Sequence, residues 1–424
     1  MGSSNVVVVG GGLAGLCAAV RAASAGASVT LLERSHQLGG RAASQTEGEH
    51  TFNQGPHALY LGGAAARELD ELGIAWEGSR AKSPYFFVER DGAFQPLPSG
   101  VLALLTSSVL GFGGKMQFAS AFGKLTSNQG FESMPLSEWL ARVTDPRARA
   151  LLAALFRVTT YSADHDKLSA AAAMRQLHMG LDRGVAYLDG GWQSLVDRLT
   201  LRALDAGVAI HTRTSPVCIA PEGPRLCVHV PDVGPLLADS VVLAAGPRTC
   251  AALVPESASL ANAAAQAVPV RAACLDVALN QLPNARHHFT LGVDSPDYLS
   301  VHSAFARLAP EGGAVVHVAR YLVGDAHDPA QVRAELEALL DRSQPGWRPH
   351  AVYTRFLPKM TVAHALPLAS EGGARMPVAV PDVPRLFVAG DWVGDEGMLL
   401  DAALASARRA AELALRSIAL RDVA

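Results

Sequence analysis

The sequence predicts an α/β protein in which a nucleotide-type unit is interleaved with a second, mixed α+β unit. Three observations carry this. A four-valine strand at 6–9 runs into a glycine turn and a small-residue helix. An apolar strand with a glycine exit, "ADSVVLAAGP", lies mid-chain at 238–247. A further strand, glycine turn and Ala-rich helix closes the chain from 385. Between these stand a helical Ala/Leu-rich stretch and an alternating, strand-rich stretch, so both units are discontinuous. We expect 1–78, 186–268 and 371–424 in the first unit, and 79–185 and 269–370 in the second.

Strand 6–9, a glycine turn at 10–15, a helix near 14–25 closed by Gly26 and a strand at 28–33 make the opening unit. A helix near 64–73 ends at Gly73, and the period-2 pattern of "YFFVERDGAFQPLP" predicts a hairpin turning at Asp91-Gly92. Residues 100–185 read as helices. An amphipathic helix and a strand come after "YLDGGW", and 270–325 alternates as strands. A helix at 329–342, a strand in "HAVYTRFLPKM", a strand and turn at 385–394 and a helix at 397–418 complete the chain. No fixed-period repeat is present.

Bulk composition excludes several classes. A chain of 424 residues, 49% hydrophobic and 18% charged, is globular and long enough for more than one core. A net charge of −3, with no basic run interleaved with aromatics, gives no basis for nucleic acid as a partner. Cys17, Cys218, Cys227, Cys250 and Cys274 are odd in number and form no CxxC pair. They predict reduced thiols in a cytoplasmic setting, with neither a disulfide frame nor a metal site. Cys17 is expected as a small core residue on the inner face of the first helix. No charged and apolar leader is expected before Val6. "VLALLTSSVLGF" at 101–112 is too short to span a bilayer. It is expected as a buried helix, with a peripheral membrane contact or a pocket lining as the alternatives.

Gly10, Gly12 and Gly15 form G-x-G-x-x-G directly after the valine strand. The first glycine permits a tight turn, the second a close approach to a pyrophosphate, and the third close packing of helix on strand. The helix N-terminus then faces the phosphates, flanked by Leu13 and Ala14. Glu33, with Arg34 after it, ends the next strand, where an acid accepts hydrogen bonds from ribose hydroxyls. Strand, spacing and acid together define a Rossmann-type dinucleotide fold without choosing between NAD and FAD.

The segment C-terminal to Glu33 makes the choice. "ERSHQLGGRAAS" resembles the corresponding segment of the flavin amine oxidase, phytoene desaturase and protoporphyrinogen oxidase superfamily, with Gly39, Gly40 and Arg41 in register. "FNQGPHAL" resembles that superfamily's stretch beside the flavin, matching Gly55, Pro56 and His57. Two positions depart from it: Asn53 stands where many members have an acid, and Gln37 where others carry a base. "RLFVAGDWVGDEGMLLDAALASARRAAE" resembles the closing motif, with Gly390 and Asp391 at the pyrophosphate and ribitol end. The resemblance implies that the helix opened by Gly397, Met398 and Leu399 faces the flavin. Val217 matches the position whose backbone holds adenine, and "ADSVVLAAGP", with Ala245 and Gly246, also matches.

The resemblance implies a GR2-like flavoprotein with non-covalent FAD, and it covers about half the chain. The flavin would carry the redox chemistry, leaving the protein to bind, orient and exclude water. HExxH, GxSxG and an acidic metal cluster are all missing from the sequence, so no metal is expected. Lys359 is one of five lysines, and some amine-oxidase relatives hold a lysine near flavin N5. It is carried as a catalytic candidate beside His57 and Met398. His287-His288 is expected on a strand face rather than as a ligand pair. Tyr85, Trp192, Tyr298 and Tyr321 are pocket or core residues.

Relatives acting on small amines enclose the substrate nitrogen between two aromatic rings. Met398 occupies one of those positions here, with Leu399 and Leu400 after it, and such a face suits an apolar molecule better than an ammonium. The leading expectation is an FAD-dependent dehydrogenase or desaturase of an isoprenoid, polyene, tetrapyrrole or related natural product, reoxidised by oxygen or a quinone. Amine oxidation releasing hydrogen peroxide is the alternative. A non-catalytic lipid- or prenyl-binding relative is a third reading, opposed by the intact glycines and Glu33.

Overall fold

The computed structural model describes residues 4–98, 100–231 and 233–419. Strand β1 (Asn5–Val9) lies at the centre of a five-stranded parallel sheet. On one side it pairs with β2 (Ser28–Leu32), which pairs with Ala209–His211. On the other it pairs with Ser240–Leu243 and, beyond that, Leu386–Val388. Parallel pairing on both sides explains the unbroken valine run, because both faces of β1 are covered. Val6, Val7 and Val8 are fully buried. Each contributes up to about 1.5–3 kcal/mol against an exposed side chain.

Helix α1 (Leu13–Ser24) packs between the closing helix Leu399–Ala419 and the helix Gln193–Asp205. Its Ala18, Ala19 and Ala22 share one core with Ala407, Ala410, Ala411 and Ala414 of the closing helix, so the two backbones approach closely. Cys17 is buried in this core and donates to Glu68 of helix α2 (Ala64–Glu71), which also pairs with Arg21. All five cysteines are unpaired.

A second, seven-stranded sheet takes its strands from elsewhere in the chain. Its order is Ala351–Ala363, Val270–Leu279, Ala314–Leu322, Asp297–Val301, Phe289–Gly292, Phe86–Arg90, Ala93–Pro96. All neighbours are antiparallel except Phe289–Gly292 with Phe86–Arg90. The hairpin turns at Asp91-Gly92, both with positive φ, as a two-residue loop between right-twisted strands requires. The helix Pro146–Thr160 packs against this sheet, and the helices Phe112–Gly123, Leu136–Ala141 and Ala170–Asp182 pack around that helix. Two of them start at side-chain caps: Asp145 accepts from Ala148 N–H and Ser169 from Ala172 N–H.

The strand and turn expected at 385–394 are the strand Leu386–Val388 and a turn at Gly390 (φ 153°), whose N–H donates to Ser406 Oγ. One local expectation needs correction. His287 and His288 precede the strand Phe289–Gly292 and do not lie on it. His287 is buried, stacked on Phe87 and bonded to Thr290 Oγ1.

Candidate active site

A cleft of about 830 Å³ opens along the ends of the parallel strands and runs toward the second sheet. Its floor is the glycine turn. Gly10 has φ 111°, and a Cβ there would stand 2.5 Å from the Ala244 carbonyl oxygen. A Cβ on Gly15 would lie 1.8 Å from the Gly10 carbonyl oxygen, so this glycine sets how closely α1 approaches β1. A Cβ on Gly12 would meet nothing nearer than 3.8 Å, and it would project beside the start of α1. That helix has no side-chain cap and no acid in its first turn, so its leading amides are free for an anion.

Glu33 is buried in the cleft wall. Its Oε2 accepts from Gly11 N–H and its Oε1 from Ser35 N–H, each at 2.7 Å. These bonds aim the carboxylate while leaving acceptor capacity for hydroxyl groups. Arg34, Gly39, Gly40, Leu13 and Ala14 line the same wall. Opposite, Arg41 Nη1 donates to Asp391 Oδ2 at 2.6 Å and to the Val362 carbonyl. Asp391 also accepts from the backbone N–H of His364 and faces its ring at 3.0 Å. Burial raises the Asp391 carboxyl, but the Arg41 charge and the hydrogen bond with His364 outweigh it and hold it well below the usual carboxylate range. Arg375 donates to the carbonyls of Gly394, Asp391 and Gly397 and so fixes the turn that feeds the closing helix.

Pro56, His57, Ala245, Gly246, Gly390 and Leu399 also line the cleft. His57 Nδ1–H donates to the Gly55 carbonyl, and its ring stands edge-on to Trp192 at 4.7 Å. Burial brings its pKa down to about 4, so the imidazole is neutral at neutral pH.

The structure places other expected residues outside the cleft. Lys359 lies on the strand Ala351–Ala363 with its ammonium 2.8 Å from Asp325, while its neighbour Met360 faces the cleft. Register shifts interrupt the alternation of this strand, so Met360, Thr361 and Val362 all line the cleft while Lys359 does not. Met398 is buried in the core beneath the wall, leaving Leu399 and Leu400 to line it. Val217 is exposed and donates its N–H to the His229 carbonyl, and Thr214, Ser215 and Pro216 take its place in the wall. Gly55, Gly15 and Gly397 lie behind the wall; a Cβ on Gly55 would strike Met360. Sequence reasoning missed His364, Tyr161, Met360 and Asp401, all cleft residues.

Among the described residues one trio, Cys274, Asp276 and His317, brings metal-type ligand atoms together. Arg355 already holds Asp276 Oδ2 and His317 Nδ1 lies 2.6 Å from Oδ1, which makes the trio part of a buried ion-pair network.

A parallel sheet with this glycine turn, an uncapped helix start and a buried acid after the second strand forms a cradle for a dinucleotide. Residues of the second sheet, Arg271, Leu357 and Met360 among them, close the cleft. The chain belongs to the flavin containing amine oxidoreductase family, whose model matches residues 13–415. It is 24% identical over 255 residues to the 4,4'-diaponeurosporene oxygenase of Staphylococcus aureus, covering 50% of this chain and 49% of that protein. It is 29% identical over 142 residues to a phytoene desaturase of Cercospora nicotianae, covering 32% of this chain and 23% of the relative. The chain thus spans half or less of these curated relatives' lengths. An oxidoreductase from Methanosarcina mazei superposes with a TM-score of 0.81 at 19% identity, covering 96% of this chain and 100% of that one. The cyclohexylamine oxidase of Brevibacterium oxydans superposes with a TM-score of 0.74 at 16% identity, covering 99% and 100%.

Proposed function

We propose that this oxidoreductase dehydrogenates or desaturates an extended or planar apolar molecule, of the isoprenoid, polyene, tetrapyrrole or related natural-product class. One observation carries the reading. Beyond Trp192 and His57 the wall is built from Tyr161, Leu357, Met360, Leu399 and Leu400, with Met398 withdrawn into the core behind them. Such a surface rewards burial of hydrocarbon and offers an ammonium only a partial aromatic enclosure. Bound FAD would supply the hydride-accepting chemistry at N5. Glu33, Arg41 and the α1 amides would hold it, and the apolar wall would orient the substrate and exclude water. His57, neutral and anchored to the Gly55 carbonyl, is the imidazole positioned to accept a proton at the cleft wall. Oxygen or a quinone would take the electrons onward. In domain terms, the cofactor unit comprises 1–78, 186–268 and 371–424, and the substrate unit 79–185 and 269–370.

The test is anaerobic mixing of the flavoprotein with polyenes, porphyrinogens and amines in parallel. Loss of the oxidised flavin absorbance with one of the apolar substrates is expected. Bleaching by amines alone, with hydrogen peroxide released on admitting oxygen, would overturn the reading in favour of amine oxidation.

An apolar substrate of this kind partitions into membranes. Among the described residues no helix is long and apolar enough to cross one. On the helix Phe112–Gly123, however, Phe112 is 83% and Met116 59% exposed. We propose that these two side chains insert at a lipid surface. Vesicles of mixed phosphatidylcholine and phosphatidylserine should sediment the protein. The Phe112→Ser, Met116→Ser double variant should bind them about tenfold or more weaker, because each residue buries roughly 1.5–3 kcal/mol of apolar surface. Equal sedimentation of both proteins would reject the contact.

A further inference from the structure

Asp401 stands in the first turn of the closing helix, 1% exposed, and forms part of the cleft wall. Its Oδ1 accepts from the Ala65 N–H at 2.8 Å, so an acid on one helix caps the start of α2, whose own N-cap is Gly63. A Cβ on Gly63 would lie 1.9 Å from that oxygen, so the glycine makes room for the carboxyl. Oδ2 makes no hydrogen bond among the described residues.

The charged groups around it are already engaged. Arg67 of α2 points to Glu396 at 2.5 Å, and Arg408 is spread over Glu68, Glu396 and Glu412. The Tyr60 hydroxyl donates to the Thr159 carbonyl. No cation forms an ion pair with Asp401 among the described residues. A buried carboxylate without a cation is costly, and the neutral acid is the form that such a position favours. Burial accordingly pushes its pKa up to about 7. The Ala65 N–H and Arg67 pull against the rise, and Glu396 adds to it.

We propose that Asp401 makes cofactor binding proton-linked: the cleft takes FAD with this acid neutral and loses affinity when it ionises. The inference rests on FAD occupying this cleft. The cofactor carries two phosphate charges, so an ionised Asp401 adds like charge to a site screened from water, whereas the protonated acid offers a donor. FAD itself has no group that titrates near neutrality. Of the two cleft histidines, His57 stays neutral throughout this range. His364 Nδ1 lies 3.0 Å from Asp391 Oδ1, and the variant His364→Gln controls for it.

The experiment titrates the apoprotein with FAD from pH 5.5 to 8.5, following flavin fluorescence. Wild type is expected to bind with constant affinity below neutrality and to weaken by up to about tenfold per pH unit above it. Asp401→Asn keeps the acceptor for Ala65 and is expected to bind with no slope, while His364→Gln keeps the wild-type slope. Melting of the apoproteins gives a second readout. A carboxyl raised in the folded state loses stability as pH climbs from about 4 to 7 and then levels, so the asparagine variant should not show that decline. If Asp401→Asn does not fold, Asp401→Ser offers its hydroxyl to Ala65 instead. Tight binding with a flat wild-type profile, or the same slope in the Asp401 variants, overturns the inference alone. Failure to bind FAD at any pH overturns it together with the cofactor site.

Discussion

Gly15→Ala is expected to lose about 3 kcal/mol of folding stability, while Gly12→Ala keeps the fold and loses the flavin. At Gly15 the added methyl would stand 1.8 Å from the Gly10 carbonyl oxygen and 3.2 Å from the Ala244 Cβ. Backbone lies on one side and a half-buried alanine on the other, so α1 must move off the sheet. Overpacking of this kind costs typically about 1–3 kcal/mol, and more where the backbone must shift. The gain from alanine's helix propensity, about 1 kcal/mol, is smaller. A net loss of about 3 kcal/mol is expected in urea denaturation of the apoprotein. At Gly12 the nearest atom to the new methyl is 3.8 Å away and φ is −76°, so stability should change by less than about 0.5 kcal/mol. The methyl would project where a pyrophosphate must approach the α1 amides, and flavin retention should fall at least about tenfold. Equal loss of flavin and of stability in both variants would contradict the separate roles of the two glycines.

Arg41→Met is expected to weaken both the fold and flavin retention, through a different cause. Asp391 is almost fully buried and keeps its charge because Arg41 and His364 face it. Removing one partner of a buried pair typically costs about 3–5 kcal/mol. The Arg41 side chain is 38% exposed, which screens part of the interaction, so about 2–3 kcal/mol is the expected loss. Arg41→Lys should recover only part of it, since one ammonium can replace Nη1 at Asp391 and Val362 but cannot also place a second nitrogen beside His364 as Nη2 does. The pH dependence has a definite sign. A carboxyl held below its ordinary range contributes stability above about pH 4 and loses it as pH falls further. Wild type and Arg41→Met should therefore converge in melting temperature toward low pH and differ most near neutrality. A constant difference at every pH would assign the effect to packing of the arginine stem instead.

The glycine turn, Glu33 and Arg41 could be read because their constraints are local. A tight turn, a close approach and a helix start each depend on residues a few positions apart, and the spacing of Gly10, Gly12 and Gly15 states them directly. Met360 and Lys359 show where such reading stops. Their strand lies at the edge of the seven-stranded sheet and alternates poorly between buried and exposed, so its pattern does not say which face meets the cleft. The motif misplaces Val217 for a similar reason: hairpin register gives its N–H to His229, and register is set by pairing across the sheet. Asp401 left a faint signal, a lone acid in the small-residue start of the closing helix, but its partner Ala65 lies 336 positions earlier.

That this chain builds a nucleotide cradle at its first strand and returns to it at its last helix is determined in the sequence, without reference to any contact. Those features are written in backbone requirements that only particular residues meet. Which side chains close the cleft was decided only when the sheets and helices came together. Folding joined Arg41 to Asp391 across 350 positions, brought His364 to both, and set a buried acid against the start of α2. Contacts at such separations arise from how sheets and helices stack, and burial in that stack, more than residue type, gives His57 and Asp401 their protonation states.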